Sequence, residues 1–188
     1  SRMTLRRAYG ASCNGFFAKI AVNHLGLGPI VEFARRFGWE TGVPADFHLD
    51  RSPFMPPAAA TSSTHTVGRF AAGFGYVGLS AAHAAWMMLA VANQGARVPL
   101  KLFRATPPAA AGERLFSPAT AARVVDLLQA SVHSGGTAAF AFRRGKYRKL
   151  AGLVGGKTGT LTGNSPRGTT TWFAGVAPLS RPQVIVAS

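Results

Sequence analysis

Residues 150–161 read LAGLVGGKTGTL, and the later segments 169–177 and 183–187 read TTTWFAGVA and QVIVA. Each segment is rich in apolar and β-branched residues and is bounded by Gly, Asn or Pro, a pattern typical of strands separated by turns. Consecutive strands with short connections pair with one another in most folds. We therefore predict three strands in an antiparallel meander at the end of the chain.

Helical patterns precede these strands. Apolar residues recur at helical spacing in four stretches, which are about 13–25, 29–37, 80–93 and 118–131. The segment 39–78 carries four prolines and many Ser, Thr and Gly residues, so it predicts long irregular structure. Helices followed by consecutive strands indicate an α+β architecture, and no internal repeat or linker divides it.

Composition limits the class of protein. Of the 188 residues, 47% are hydrophobic and 14% are charged, which predicts a globular chain rather than a disordered one. The net charge of +15 favours anionic polymers or membrane head groups as neighbours, without choosing between them. The single cysteine, Cys13, cannot form an intrachain disulfide, and the five histidines show no ligand spacing, so we predict no metal and no other cofactor. The longest apolar stretch, 79–92, is too short to cross a bilayer.

Two short motifs carry the chemistry. Lys157-Thr158-Gly159-Thr160 lies in a predicted strand behind Gly155-Gly156, where small residues would let a ligand approach the backbone. Ser12-Cys13-Asn14 lies far away in sequence, at a predicted helix start for which Ser12 is a good cap. Taken singly, these motifs also fit a helix cap, a surface asparagine and a solvated strand lysine.

Together the motifs resemble two of the three motifs of the penicillin-binding protein and serine β-lactamase superfamily, Lys-Thr-Gly and Ser-x-Asn. The resemblance covers essentially the whole chain in the family's motif order, and it extends to three further segments, which are 90–95 (AVANQG), 135–138 (GGTA) and 172–178 (WFAGVAP). It implies a β-lactamase/transpeptidase-like fold, with an antiparallel sheet flanked by helices plus a helical cluster.

The third motif, Ser-x-x-Lys, is missing. No serine in the sequence has a lysine three positions later. In the family this nucleophile precedes Ser-x-Asn, and a further helix follows the last strand. We therefore expect residues 1–188 to be a partial penicillin-binding transpeptidase domain, without its nucleophile-bearing N-terminal part and C-terminal helix. Either the remainder of the domain, in the same parent or a second chain, covers the sheet, or the sheet shows an exposed apolar surface.

The resemblance also implies roles for residues that are present. It implies a D,D-transpeptidase that cross-links peptidoglycan stem peptides through an acyl-serine enzyme and binds penicillin. Ser12 would relay a proton between Lys157 and the serine-lysine pair, and Asn14 would hold the substrate backbone. The segment Thr158-Gly159-Thr160 would bind substrate, with both threonine hydroxyls on the terminal carboxylate and the N–H of Thr160 in the oxyanion hole.

Other functions fit parts of the sequence. A β-lactam-binding sensor, an inactive homologue and a D,D-carboxypeptidase share the motifs, whereas a β-lactamase needs a Glu-x-x-x-Asn base, and here Glu40 is followed four places on by Pro44. The segment 143–149 (RRGKYRK) has the basic and aromatic composition of a nucleic-acid patch. We expect instead peptidoglycan stem peptides and β-lactam antibiotics as partners, no nucleic acid, and a place in the cell envelope at the outer face of the cytoplasmic membrane.

Overall fold

The computed structural model describes residues 3–75, 77–103, 113–164 and 167–188. Its sheet has three antiparallel strands, β1 (Gly155–Asn164), β2 (Arg167–Ala177) and β3 (Val184–Ala187), in the order β1-β2-β3. The predicted meander is therefore confirmed. In its register, Lys157 lies opposite Ala174 and Val176 lies opposite Ile185.

The start of the first strand was predicted too early. Residues Gly145–Leu150 form a 3-10 helix, and the strand begins only at Gly155. The apolar residues between them are shaped by local turns, because the N–H groups of Leu153 and Val154 both donate to the carbonyl of Leu150. A short apolar run does not distinguish a strand from a turn of helix.

Seven α-helices are present in the described part of the chain. In chain order they are α1 (Leu5–Gly10), α2 (Asn14–Ile20), α3 (Leu27–Arg36), α4 (Thr64–Ala71), α5 (Ala81–Ala92), α6 (Pro118–Val132) and α7 (Ala139–Arg143). A π-helical turn, Ala21–Leu25, continues α2, and a short 3-10 helix spans Ala59–Thr61.

The four predicted helices appear as α2 with its π-helical turn, α3, α5 and α6. Helices α1, α4 and α7 were not predicted, and α4 contradicts the irregular structure expected over 39–78. The three missed helices have only 6, 8 and 5 residues, so an apolar period has too little length to show. A cap did signal α4, because the Ser63 hydroxyl accepts a hydrogen bond from the N–H of Thr66.

The core joins α5 and α6 to the sheet. Val91 of α5, Leu128 of α6 and Val176 of β2 form one buried cluster, against which Ile185 of β3 packs. A second cluster surrounds Trp86, which is fully buried and donates from its indole N–H to the carbonyl of Val98. Helices α5 and α6 thereby fix one layer of the molecule against the sheet.

The sheet keeps open edges and an exposed apolar side. In the described chain β1 and β3 each pair with β2 alone. Val184 and Val186 of β3 are 56% and 50% exposed, whereas Ile185 between them points to the core. A bare strand edge with apolar side chains is a surface on which another strand or helix can pack. Across the described ranges, no helix has both the length and the apolar character needed to span a bilayer.

Candidate active site

Ser12 lies in a sharp turn between α1 and α2. Its backbone has a φ of 51°, in the left-handed region that a residue with a side chain seldom adopts. The turn is closed by hydrogen bonds from the N–H of Ser12 to Tyr9 O (3.0 Å) and from the N–H of Cys13 to Ala8 O (2.9 Å). The cap position of α2 is Cys13, so the prediction that Ser12 caps the helix is wrong. The turn instead directs the Ser12 hydroxyl toward β1.

Lys157 meets Ser12 across 145 residues of sequence. Its Nζ donates to Ser12 Oγ at 2.7 Å and to the carbonyl of Thr158 at 2.7 Å. Burial lowers the pKa of Lys157 below its ordinary value, because the charged form loses hydration. No ion pair to Lys157 occurs among the described residues. A poorly hydrated ammonium without a carboxylate partner is well suited to attract an anionic substrate group.

Helix α6 holds the two halves of this cleft together. It packs against both α1 and β1. Arg6 of α1 forms an ion pair with Asp126 and a 3.1 Å hydrogen bond with Gln129, both on α6. At Gly10 a Cβ would lie 2.7 Å from the carbonyl oxygen of Ala130, so only glycine allows α1 to approach this closely.

Tyr9 is a residue of the cleft that the sequence analysis missed. Its ring lies 6.0 Å from Lys157 Nζ, within the range of a cation–π contact, and it meets the ring of Phe17 edge-on. The other side of Tyr9 packs against the core cluster around Leu128. Burial raises the pKa of the Tyr9 phenol, so the ring stays neutral beside the ammonium. The sequence signal for it was limited to an aromatic residue three positions before Ser12.

Thr158 has a neighbour that the motif alone did not reveal. Its hydroxyl is hydrogen-bonded to that of Thr137, which follows α6. The N–H of Thr137 donates to the carbonyl of Gly10 at 3.0 Å, so Thr137 links the end of α1 to β1. Thr160 is exposed two residues further along the same strand, on the face that Thr158 shares by alternation.

The glycines of β1 differ in their surroundings. At Gly156 a Cβ would overlap the ring of Phe173, and at Gly155 it would lie 2.6 Å from Leu179 Cδ2. These two glycines make room for packing, so the interpretation that they let a ligand approach is wrong. At Gly159 a Cβ would make only an ordinary 3.5 Å contact with Trp172, which leaves that part of the strand open.

Asn14 takes no part in the contact between Ser12 and Lys157. It is the first residue of α2 and is exposed, and its side-chain amide makes no hydrogen bond to the described residues. It lies at a groove of about 410 Å³ between α2 and α4. The structure thus joins Ser12 with Lys157 and Thr158 with Thr137, and leaves the Asn14 amide free for an external partner. Within the same described residues, no three His, Cys, Asp or Glu side chains group as metal ligands.

Comparison with known families assigns the whole chain to one of them. A family model described as the penicillin binding protein transpeptidase domain matches residues 1–188. The chain belongs to this family. None of the curated proteins compared matches its sequence significantly.

Solved transpeptidase structures share the fold. The D,D-transpeptidase domain of a peptidoglycan glycosyltransferase from Eggerthella lenta is 27% identical, with a TM-score of 0.78 over 98% of this chain and 48% of that one. The transpeptidase domain of Burkholderia pseudomallei penicillin-binding protein 3 (24%) and a peptidoglycan glycosyltransferase from Burkholderia ambifaria (23%) both reach 0.78, over 98% of this chain and 55% of theirs. The chain therefore has the α+β fold of penicillin-binding transpeptidases and spans about half the length of these structures.

Proposed function

We propose that this chain contributes the Lys-Thr-Gly and Ser-x-Asn side of a D,D-transpeptidase cleft, which acts on peptidoglycan stem peptides and is acylated by penicillin. The observation that carries the proposal is the 2.7 Å hydrogen bond between Lys157 Nζ and Ser12 Oγ. It unites the two motifs across the fold, and family membership supplies the reaction class. The nucleophile would come from a Ser-x-x-Lys motif elsewhere in the complete protein.

The proposed reaction has two acyl transfers. The nucleophilic serine gives up its hydroxyl proton as its oxygen bonds to the carbonyl carbon between the two terminal D-alanines; the C–N bond breaks, and the last D-alanine leaves as an amine that takes up a proton. An amine of a neighbouring stem peptide then bonds to the acyl carbon and gives up a proton; the ester C–O bond breaks, and the serine oxygen regains a proton. The same serine would open a β-lactam ring and remain acylated.

Ser12 and Lys157 have complementary parts in these steps. Lys157 donates a hydrogen bond to the Ser12 oxygen. The Ser12 hydroxyl can then donate its own proton to the departing amine. The positive charge of Lys157 also attracts the carboxylate of the terminal D-alanine, which the Thr158 and Thr160 hydroxyls would bind. The open edge of β1 would take the peptide as an additional strand, with the N–H of Thr160 in the oxyanion hole.

The unpartnered amide of Asn14 would hold the substrate backbone from the opposite side. The stem peptide and β-lactams are thus the partners we propose, together with the remainder of the transpeptidase domain. This reaction would take place in the cell envelope, and we propose the outer face of the cytoplasmic membrane, where stem peptides are cross-linked.

A fluorescent penicillin tests the proposal. We expect it to label the full-length protein at the serine of a Ser-x-x-Lys motif and to leave the isolated 188-residue chain unlabelled. Labelling of the isolated chain at one of its own serines would contradict the assignment of the motifs.

Product analysis separates the related activities. Incubation of the full-length protein with stem peptide and an acceptor amine should yield the cross-linked product and free D-alanine. Release of D-alanine without cross-linking would identify a carboxypeptidase, and stable acylation by penicillin without any peptide turnover would identify a sensor. Hydrolysis of penicillin with repeated turnover would identify a β-lactamase.

A further inference from the structure

A second surface, separate from the cleft, combines positive charge with exposed apolar side chains. It comprises residues 140–153, which include all of α7 but its first residue, contain the 3-10 helix Gly145–Leu150 and end just before β1. We call this segment the basic surface. Its cations are all exposed, and they are Arg143, Arg144, Lys146, Arg148 and Lys149.

In the described part of the chain, no acidic side chain pairs with these cations. The ion pairs of the described chain involve other side chains, and the segment 140–153 contains no acidic residue. The contact recorded for Lys146 is with the ring of Tyr147, at 5.0 Å. Five uncompensated charges within seven residues make an attractive site for a polyanion or an anionic surface.

Three of the cations border one open recess. A shallow recess of about 590 Å³ is lined by Lys146, Arg148 and Lys149 together with Gly145. Three cations around one recess can contact the oxygens of a single head group.

The apolar residues distinguish a membrane from a soluble polyanion. Phe140 is 74% exposed, and Tyr147 and Leu153 are each 48% exposed. Polyphosphate and duplex DNA gain little from such side chains, and a single-stranded nucleic acid would stack only on the two aromatic rings. At a bilayer all three side chains can enter the boundary between head groups and acyl chains. Aromatic residues are favoured at that depth because they have an apolar body and, in tyrosine, a polar tip.

From this combination we propose that the basic surface docks the protein onto an anionic phospholipid bilayer, with a lipid phosphate in the recess and Phe140, Tyr147 and Leu153 in the interface. The inference does not rest on the acyl-transfer function, because none of these residues belongs to the cleft. It concerns a peripheral contact and requires no membrane-spanning segment.

Vesicle sedimentation with the full-length protein, purified without any membrane anchor it carries, tests the proposal. We expect binding to phosphatidylcholine vesicles that contain phosphatidylglycerol and little binding to phosphatidylcholine alone. Replacing all five cations with glutamine (R143Q/R144Q/K146Q/R148Q/K149Q) should weaken binding by more than ~10²-fold, since each cation near an anionic surface contributes substantially. A matched variant with the same loss of charge elsewhere, K19Q/R51Q/R123Q/R167Q/R181Q, should lose no more than about 10-fold.

A second variant separates the membrane from soluble polyanions. We expect F140S/Y147S/L153S to lose at least ~10-fold in vesicle binding, because less apolar area enters the interface, and to keep its binding to inorganic polyphosphate. Three results would overturn the proposal. They are an equal loss of vesicle binding in the two five-cation variants, vesicle binding that is unchanged in F140S/Y147S/L153S, and binding to polyphosphate or duplex DNA in preference to vesicles. A full-length protein that binds neither type of vesicle would also overturn it, because another part of the protein would then cover the basic surface. Melting temperatures of all variants confirm that each is folded.

Discussion

The two halves of the cleft are built differently. Lys157 stands on β1, where the backbone is held by a ten-pair ladder with β2. Ser12 stands in a turn with a left-handed backbone, and that turn is held by the packing of α1 on α6. The strand half is therefore positioned by regular pairing, whereas the turn half depends on contacts between helices. We expect substitutions in the strand half to affect chemistry alone and substitutions around the turn to affect chemistry and stability together.

The largest effect is expected at Lys157. In the full-length protein, Lys157→Ala should slow acylation by penicillin at least ~10²-fold, because a positive charge that acts on the reacting substrate is lost. Lys19→Ala, which removes an exposed lysine from α2, serves as the control and should leave the rate within about twofold. Stopped-flow acylation kinetics measure both rates, and equal rates in the two variants would show that Lys157 has no part in the chemistry.

The pH dependence of stability gives a second test of Lys157. Because burial lowers its pKa in the folded protein, the unfolded chain holds this proton more tightly. The contribution of Lys157 to the free energy of unfolding therefore rises as the pH increases from the lowered pKa to the ordinary one. Urea titrations over this alkaline range should show that Lys157→Met removes this increase of the free energy of unfolding with pH. If the increase is the same in Lys157→Met, the Lys157 ammonium is hydrated in the folded protein and its pKa is not lowered by burial.

Two substitutions at Ser12 should separate the effect on acylation from the effect on stability. Both Ser12→Ala and Ser12→Gly remove the hydroxyl and should slow acylation by about 10-fold or more, since proton transfer loses its relay. Ser12→Gly should in addition raise the free energy of unfolding by about 1 kcal/mol relative to Ser12→Ala, because glycine adopts the left-handed backbone without strain. Chemical denaturation measures this difference, and equal stability of the two variants would show that the turn carries no strain.

Tyr9 connects the two halves and should give a smaller effect. We expect Tyr9→Leu to slow acylation about 3- to 30-fold, as the ring contact with the ammonium is lost, and Tyr9→Phe to retain most of the rate. Activity that needs charged Lys157 falls as pH rises through the Lys157 pKa. The ring contact favours the charged ammonium, and leucine keeps the site apolar, so the loss of the ring lowers that pKa and the alkaline limb of the pH profile should move to lower pH in Tyr9→Leu. A lower rate without this shift would indicate a structural role only.

The smallest effect is expected from the ion pair between α1 and α6. Arg6 and Asp126 are both substantially exposed, so Arg6→Gln should lower the free energy of unfolding by no more than about 1 kcal/mol. Acylation should change by less than about threefold, because the glycine contact at Gly10 still fixes α1. If Arg6→Gln lowered the acylation rate as much as the Ser12 substitutions, this ion pair, rather than backbone packing, would position the turn.

The sequence predicted the longer elements for a clear reason. Helices α5 and α6 contain 12 and 15 residues, enough for several apolar repeats and for the serine caps at Ser80 and Ser117. The strands β2 and β3 were recognised to within two residues because turn residues bound their apolar runs. Short helices such as α1 have too few residues to show an apolar period, although the Thr4 side chain caps α1 by accepting a hydrogen bond from the N–H of Arg7. The end of the 3-10 helix before β1 gave no signal.

Some residues of the candidate site were predicted from the sequence, and others became apparent only in the structure. The sequence alone singled out the segment Lys157-Thr158-Gly159-Thr160 together with Ser12 and Asn14, because they stand in two short motifs that resemble those of one family. Tertiary structure alone decided that Ser12 occupies a left-handed turn instead of a helix cap, that Tyr9 and Thr137 join the cleft, and that Gly156 makes room for Phe173. These features arise between residues far apart in the chain, as in the contact of Ser12 with Lys157. Local periodicity and propensity describe neighbours along the chain, whereas the close packing of α1, α6 and β1 determines which distant groups meet.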